Sequence, residues 1–211
     1  MKDVDTAAPL IPSRPTLKKL QVVAAGCQAC HLWKIGTQTV FGEGKPSSTV
    51  MFVGEQPGDK EDLSGHPFVG PAGALLDKAL AEAGIDRKSV YVTNVVKHFK
   101  WEARGKRRIH KKPNAAEITA CRPWLEAEVA VVKPRAIICL GSTAAQAVIG
   151  PKFRVSIQRA QFVESSLAPF VTATVHPSSI LRAPTDDARH EEMQRFTDDL
   201  KKIWRALSLS S

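Results

Sequence analysis

Four short apolar runs, each closed by a glycine, asparagine or histidine segment and followed by helix-forming sequence, constrain this chain more than any other feature. Thr49–Val53 ends in Gly54-Glu55-Gln56-Pro57-Gly58, where two glycines and a proline mark a tight loop at a strand end. After a polar loop, Pro71 opens a helix to about Ala83, with Leu75, Leu76, Ala79, Leu80 and Ala83 on one face and Gly84 at its end. Ser89–Thr93 reads as the second strand, closed by Asn94. Asn114 and Glu117 form a capping box behind Pro113 and start a helix carrying Cys121, Trp124, Leu125 and Val129. Arg135–Leu140 is the third strand, followed by Gly141-Ser142 and a small-residue helix to Ile149. Phe170–Val175 is the fourth, running into His176-Pro177-Ser178-Ser179, and a last helix spans Asp187–Leu207. Alternation of this kind predicts an α/β fold: a parallel sheet covered on both faces, with its site at the carboxyl ends of the strands. The Gly54–Gly58, Asn94, Gly141-Ser142 and His176–Ser179 segments all fall at those ends.

The chain's 211 residues, 43% of them hydrophobic, suit one sizeable core, expected over residues 15–211. Residues 1–14, polar and carrying Pro9 and Pro12, are expected to be a mobile arm without a catalytic role. No apolar run approaches the roughly 18 residues needed to span a membrane, and the first ten residues carry no hydrophobic signal segment. A soluble, cytoplasmic protein is the expectation.

The charge is concentrated. Between Lys97 and Lys112 stand eight Lys or Arg and one acid, Glu102, so this segment contributes +7 of the formal +9. Such a local excess is the footprint of a polyanion partner and favours nucleic acid over a membrane surface. The run Lys106-Arg107-Arg108-Ile109-His110 also ends in a histidine, so one loop holds both a phosphate-binding surface and a nucleophile or acid/base group.

Four cysteines in a reducing compartment argue against structural disulfides. Cys27 and Cys30 form a C-x2-C pair that suits a metal or a redox centre, and Cys121 and Cys139 could complete a four-thiolate site. Burial of the last two as small hydrophobes is the other reading. The wide separation of the second pair disfavours a zinc ribbon and leaves an iron–sulfur cluster as the better candidate.

Taken together, Gly54-Glu-Gln-Pro-Gly58, Gly65-His-Pro-Phe-Val-Gly-Pro-Ala-Gly73, Val92-Thr-Asn-Val-Val-Lys97 and His176-Pro-Ser-Ser-Ile180 resemble, in the same order, the motifs of iron–sulfur uracil-DNA glycosylases. The likeness covers about residues 20–205. The extended loop with Lys106–His110, together with Gln56, is similar to the family X branch, whose histidine becomes covalently attached to the abasic deoxyribose. The resemblance implies a three-layer α/β/α fold with a four-stranded parallel sheet. It also implies a structural [4Fe-4S] cluster on Cys27, Cys30, Cys121 and Cys139, and uracil-containing DNA as partner, single-stranded or with the nucleotide flipped out. The protein is expected to act as a monomer.

A glycosylase must extrude the nucleotide, read the uracil edge and stabilise charge as the N-glycosidic bond breaks. Phe68 resembles the aromatic on which uracil stacks, and Asn94 resembles the amide that pairs with uracil N3–H and O4. His176 resembles the donor to uracil O2, a bond that strengthens as negative charge develops. Glu55 is the best-placed acid to stabilise an oxocarbenium-like centre, and Gln56 is a further uracil- or sugar-binding candidate. Lys106, Arg107, Arg108, Lys111 and Lys112 are expected on phosphates, with Arg107 or Arg108 also bracing the loop, and Ser178 and Ser179 are expected to add backbone or phosphate bonds. Trp101 either stacks on a base or anchors the loop.

His110 divides two mechanisms. An activated water at C1′ gives a multiple-turnover enzyme, whereas attack by a neutral His110 imidazole gives a persistent covalent product. The expectation from the resemblance is the covalent one. A non-catalytic iron–sulfur DNA-binding module is a competitor, and a thiol–disulfide oxidoreductase explains neither the glycine loops nor His176.

Overall fold

A computed structural model describes residues 6–209. Its centre is a sheet of β1 (Val50–Gly54), β2 (Val90–Asn94), β5 (Ala136–Leu140) and β6 (Phe170–Thr174), all parallel and ordered β2-β1-β5-β6. β3 (Trp101–Arg104) and β4 (Arg107–His110) form a separate antiparallel pair.

The strands are near-continuous apolar runs because both faces are buried, and their two-residue period divides the core. Met51, Val53, Tyr91, Ile137, Cys139, Val171 and Ala173 point to one side. There they meet α1 (Leu17–Ala24), α4 (Ala115–Val132) and α5 (Ser142–Val148). Val50, Phe52, Val90, Val92, Ile138 and Leu140 point to the other, against α3 (Pro71–Glu82) and α8 (Asp186–Leu209). The result is the expected three-layer α/β/α arrangement. Strand order reverses at β1, which is flanked by β2 and β5, so a crevice opens above the carboxyl ends of β1 and β5. The predicted capping box is present: Asn114 Oδ1 accepts from the Glu117 N–H and Glu117 Oε2 accepts from the Asn114 N–H.

Three segments differ from the sequence reading. The polar stretch after Gly58 contains α2 (Asp59–Ser64), whose Asp62 is fully buried. Of the segment expected as an arm, residues 1–5 lie outside the described residues, while Ala7 is buried and donates its N–H to Ala120 O at 2.9 Å. The long basic loop is a β-hairpin, with Trp101 opposite His110 and Arg104 opposite Arg107. Gly105, at φ +60°, supplies the positive φ that a two-residue hairpin loop needs at its first position. Among the described residues, no helix is long and apolar enough to cross a membrane.

Candidate active site

The strand ends frame a cleft of about 900 Å³. Glu55, Phe68, Asn94, His110, His176 and Arg182 line it, together with Ser178 and Ser179. Glu55 and His176 come from the segments that follow β1 and β6, Asn94 ends β2, and His110 ends β4 of the hairpin.

Glycine creates the close approaches inside the cleft. A Cβ on Gly54 would stand 2.3 Å from Asn94 Oδ1 and 2.9 Å from Phe68 Cζ, so the bare β1 terminus lets the amide and the ring meet over it. A Cβ on Gly73 would fall 1.6 Å from the Phe68 carbonyl oxygen. Phe68 itself holds a left-handed backbone, φ +57°, which costs of order 1 kcal/mol or more in a non-glycine residue and concentrates at functional sites. Its ring stacks against the His176 imidazole at a 6.4 Å centroid distance and 29° between planes. Glu61, which the sequence reading passed over, accepts the Gly70 N–H at 2.9 Å and ties α2 to the Phe68 loop.

His176 caps α7 (Pro177–Leu181): its Nδ1 accepts the Ser178 N–H at 3.1 Å and lies 2.8 Å from Ser178 Oγ. An acceptor Nδ1 puts the proton of the neutral ring on Nε2. Burial, with Arg182 and His110 adding positive charge nearby, lowers the His176 pKa to about 4. Ser178 thus orients the imidazole, and Ser179 Oγ donates to the His176 carbonyl at 2.7 Å.

His110 ends β4 with Nε2 3.3 Å from Glu55 Oε1. Burial lowers its pKa, Glu55 pulls the other way, and Arg182 lowers it further. Alternation along β4 puts Arg108 on the same face as His110, and Arg107 and Ile109 on the opposite one.

Arg108 is held inward. Its guanidinium pairs with Asp59 and, at 2.6 Å, with Asp62 Oδ2, and lies over the rings of Phe99 and Trp101. Burial opposes its charge, but hydrogen bonds to Asp62 and Asp59 outweigh that and raise the pKa. Of the two arginines considered for bracing the loop, Arg108 is the one held inward, its charge shared by Asp59 and Asp62. Trp101 is an anchor: its indole N–H donates to Ile35 O at 2.8 Å. Gln56 lines the cleft, and its side chain braces the hairpin base: Nε2 donates to the carbonyls of Lys100 and Lys111, both at 3.1 Å, and Oε1 accepts the Lys100 N–H at 3.3 Å.

The basic segment is therefore less free than its charge count suggests. Lys97, Lys100, Arg108 and Lys111 pair with Glu128, Glu117, Asp59/Asp62 and Glu102. Lys106 and Arg107 are exposed on the hairpin, available to an external anion.

The four cysteines separate into three and one. Burial pushes the Cys121 thiol up to about 12, with Cys30 and Cys27 adding to the rise, and burial raises Cys30, which also senses Cys27. Trp124 Nε1 donates to Cys27 Sγ at 3.3 Å, and the Lys97 N–H donates to Cys121 Sγ at 3.2 Å. Cys139 instead sits within the sheet opposite Val53 and Ala173, its pKa raised by burial alone. Cys139 packs in the same buried layer but is set apart from the other three, so the expected four-thiolate set is not drawn together. Among the described residues no three metal-binding side chains are spaced as a formed centre, so Cys27, Cys30 and Cys121 define a soft-donor neighbourhood and no more.

Residues 41–207 match the family model described as the uracil DNA glycosylase superfamily. The chain is 35% identical over 180 residues to a type-4 uracil-DNA glycosylase of Thermotoga maritima, covering 83% of this chain and 90% of that one. It is 36% identical over 175 residues to the type-4 enzyme of Pyrobaculum aerophilum, covering 80% and 86%. Against the type-4 enzyme of Sulfurisphaera tokodaii it is 40% identical over 127 residues, 60% of this chain and 54% of the relative. A cleft at the β1 strand-order reversal, lined by the very motifs that suggested the likeness, and a match over most of the sequence lead to one assignment: the chain belongs to the uracil DNA glycosylase superfamily.

Proposed function

We propose that this protein is a uracil-DNA glycosylase that excises uracil and then bonds His110 to C1′ of the abasic deoxyribose. The observation that carries the reading is the convergence of Phe68, Asn94, His176, Glu55 and His110 on one cleft. Phe68 stacks on the flipped base, and the Asn94 carboxamide pairs with uracil N3–H and O4. As the C1′–N1 bond breaks, its electron pair passes into the uracil ring, and the Nε2–H of neutral His176 donates to O2 as charge builds there. Glu55 faces the cationic sugar.

His110 then supplies a lone pair to C1′. Its depressed pKa keeps that pair available near neutrality, and tethering beside Glu55 gives it an advantage over bulk water. The product is an N-glycosylated imidazolium that loses its remaining N–H proton to Glu55 or solvent. Lys106 and Arg107 hold flanking phosphates, and Ser178 and Ser179 act by orienting His176 and its loop. The type-4 relatives support glycosylase chemistry, and the hairpin-borne histidine facing a carboxylate supports the covalent outcome.

Cys27, Cys30 and Cys121 would hold an iron–sulfur cluster through thiolates, with a role in ordering α4 and the segment after Cys30 rather than in the reaction. Uracil excision transfers no net electrons.

A uracil-containing single-stranded oligonucleotide mixed with protein and run on a denaturing gel tests the reading. A DNA-shifted protein band that disappears in His110→Ala is expected. An alkali-cleavable free oligonucleotide without a shifted band would mark a turnover enzyme, and intact uracil would leave only a binding module.

A further inference from the structure

Directly behind the cleft wall lies a charge pair that the proposed chemistry does not use. Lys97 is 1% exposed and Glu128 fully buried, with Nζ 2.6 Å from Glu128 Oε2. The same ammonium donates to Thr93 Oγ1 at 2.6 Å and to the main-chain carbonyl of Asn94 at 2.8 Å, so all three of its N–H bonds are engaged. Glu128 Oε1 accepts from Tyr91 Oη at 2.9 Å, Thr93 Oγ1 at 2.9 Å and the Gly42 N–H at 3.1 Å. No water is needed to complete this set.

Burying two charges costs several kcal/mol per ion, which their attraction repays only when geometry is good, so such a pair is a poor device for stability alone. Its geometry points to another purpose. Asn94 is the last residue of β2, and the chain bends just after it, with the Val95 and Val96 N–H groups donating to the carbonyls of Gly54 and Glu55 at 2.9 and 3.0 Å. There the Lys97 side chain reaches back three residues and takes the Asn94 carbonyl. Asn94 lines the cleft and neither Lys97 nor Glu128 does, so the main chain that carries the Asn94 carboxamide is held from the buried interior. The backbone N–H of the same lysine donates to Cys121 Sγ, which ties this turn to the thiol neighbourhood.

We infer that Lys97 and Glu128 are positioning residues for base reading: the buried ammonium sets the Asn94 peptide, and through it the angle at which the carboxamide meets the uracil edge. Neither side chain touches the nucleotide. This rests on the reading of Asn94 as the residue that pairs with uracil. A displacement of the order of 1 Å in a positioning group lowers rate by about 100-fold, so the effect is measurable.

The test is a double-mutant cycle in single-turnover excision of a uracil oligonucleotide by the full chain, using Asn94→Ala, Lys97→Met and both together. Lys97→Met is expected to slow excision about 10- to 100-fold alone and by less than about twofold in the Asn94→Ala background. Multiplying effects would overturn the positioning role while leaving Asn94 as the base reader. An Asn94→Ala protein that excises at the unmodified rate would remove the Asn94 reading and this inference with it. Because Lys97→Met leaves Glu128 buried without its partner, Lys97→Met/Glu128→Gln is the folding control. Its melting temperature should recover while slow excision persists, and recovery of both would reduce the pair to a structural element.

Discussion

His110 Nε2 faces Glu55 Oε1 at 3.3 Å, across the gap between a hairpin strand end and the loop that follows β1. In the proposed mechanism this carboxylate stabilises both the cationic sugar and the imidazolium formed from His110. Glu55→Gln keeps the shape and removes the charge, so excision should fall by about 10²- to 10⁴-fold, the usual range for a positioned ionised group. Melting temperature should hardly move, since Glu55 is partly exposed. Single-turnover gels check this, and excision near the unmodified rate would remove Glu55 from the mechanism.

The two histidines of the cleft give a pH signature. His176 titrates at about 4 and His110 below its ordinary value, both chiefly through burial. Each therefore stays neutral as pH falls through about 6.5, where a free imidazole is half protonated. Adduct formation should persist below pH 6.5 and fail only further into acid. The linkage has a definite sign: a folded pKa below the unfolded one makes the unfolded chain bind more protons. The stability tied to neutral His176 is then fully present above about pH 6.5 and is lost as pH falls toward 4. Arg182→Ala removes a charge that lowers both pKa values, so its acid limb should move to higher pH. Rates and melting curves between pH 4 and 8 read both effects.

The sequence disclosed what is local. Gly54, Asn94, Gly141 and His176 each follow an apolar run of strand length, so their meeting at one sheet edge followed from connectivity, and the Asn114–Glu117 box was legible from spacing alone. What stayed hidden depends on partners far along the chain. Trp101–His110 lacks the apolar alternation and Asn-Gly turn that announce a hairpin, because Arg108 is balanced by Asp59 and Asp62 from α2 and Gln56 holds its base. Lys97 reads as one more cation in a basic run until Glu128, thirty-one residues on, is seen beneath it. Cys139 has the residue type of a ligand and the position of a core side chain, and only the sheet register separates these.

Cations on the hairpin should divide by task. Arg108→Ala releases the hairpin from α2 and removes one partner of buried Asp62, although Thr37 still bonds that carboxylate. A stability loss of roughly 1–3 kcal/mol is expected, with covalent capture by His110 falling more than uracil release. Lys106→Ala and Arg107→Ala should leave the melting temperature unchanged. Each should weaken DNA binding uniformly and reduce the salt slope by up to about 1. Salt-dependent binding isotherms beside melting curves separate the groups, and a reduced salt slope in Arg108→Ala would return that arginine to the phosphates.

Cysteine substitutions should sort the same way. Cys27, Cys30 and Cys121 lie in one neighbourhood where thiolates could share a cluster, whereas Cys139 is enclosed between Val53 and Ala173 in the sheet. Cys121→Ser should strip iron and the visible absorbance of an iron–sulfur centre from the purified protein. Cys139→Ala should retain both and lose only about 1 kcal/mol from the missing sulfur, while Cys139→Ser should lose about 1–3 kcal/mol by burying a hydroxyl in an apolar layer. Iron content, absorbance and melting temperature, measured on the same preparations, distinguish a ligand from a packing residue. Loss of iron in Cys139→Ala at unchanged stability would show that the sheet opens to admit a fourth thiolate. Retention would show that any fourth donor comes from elsewhere, in keeping with the place of Cys139 on β5 between Val53 and Ala173.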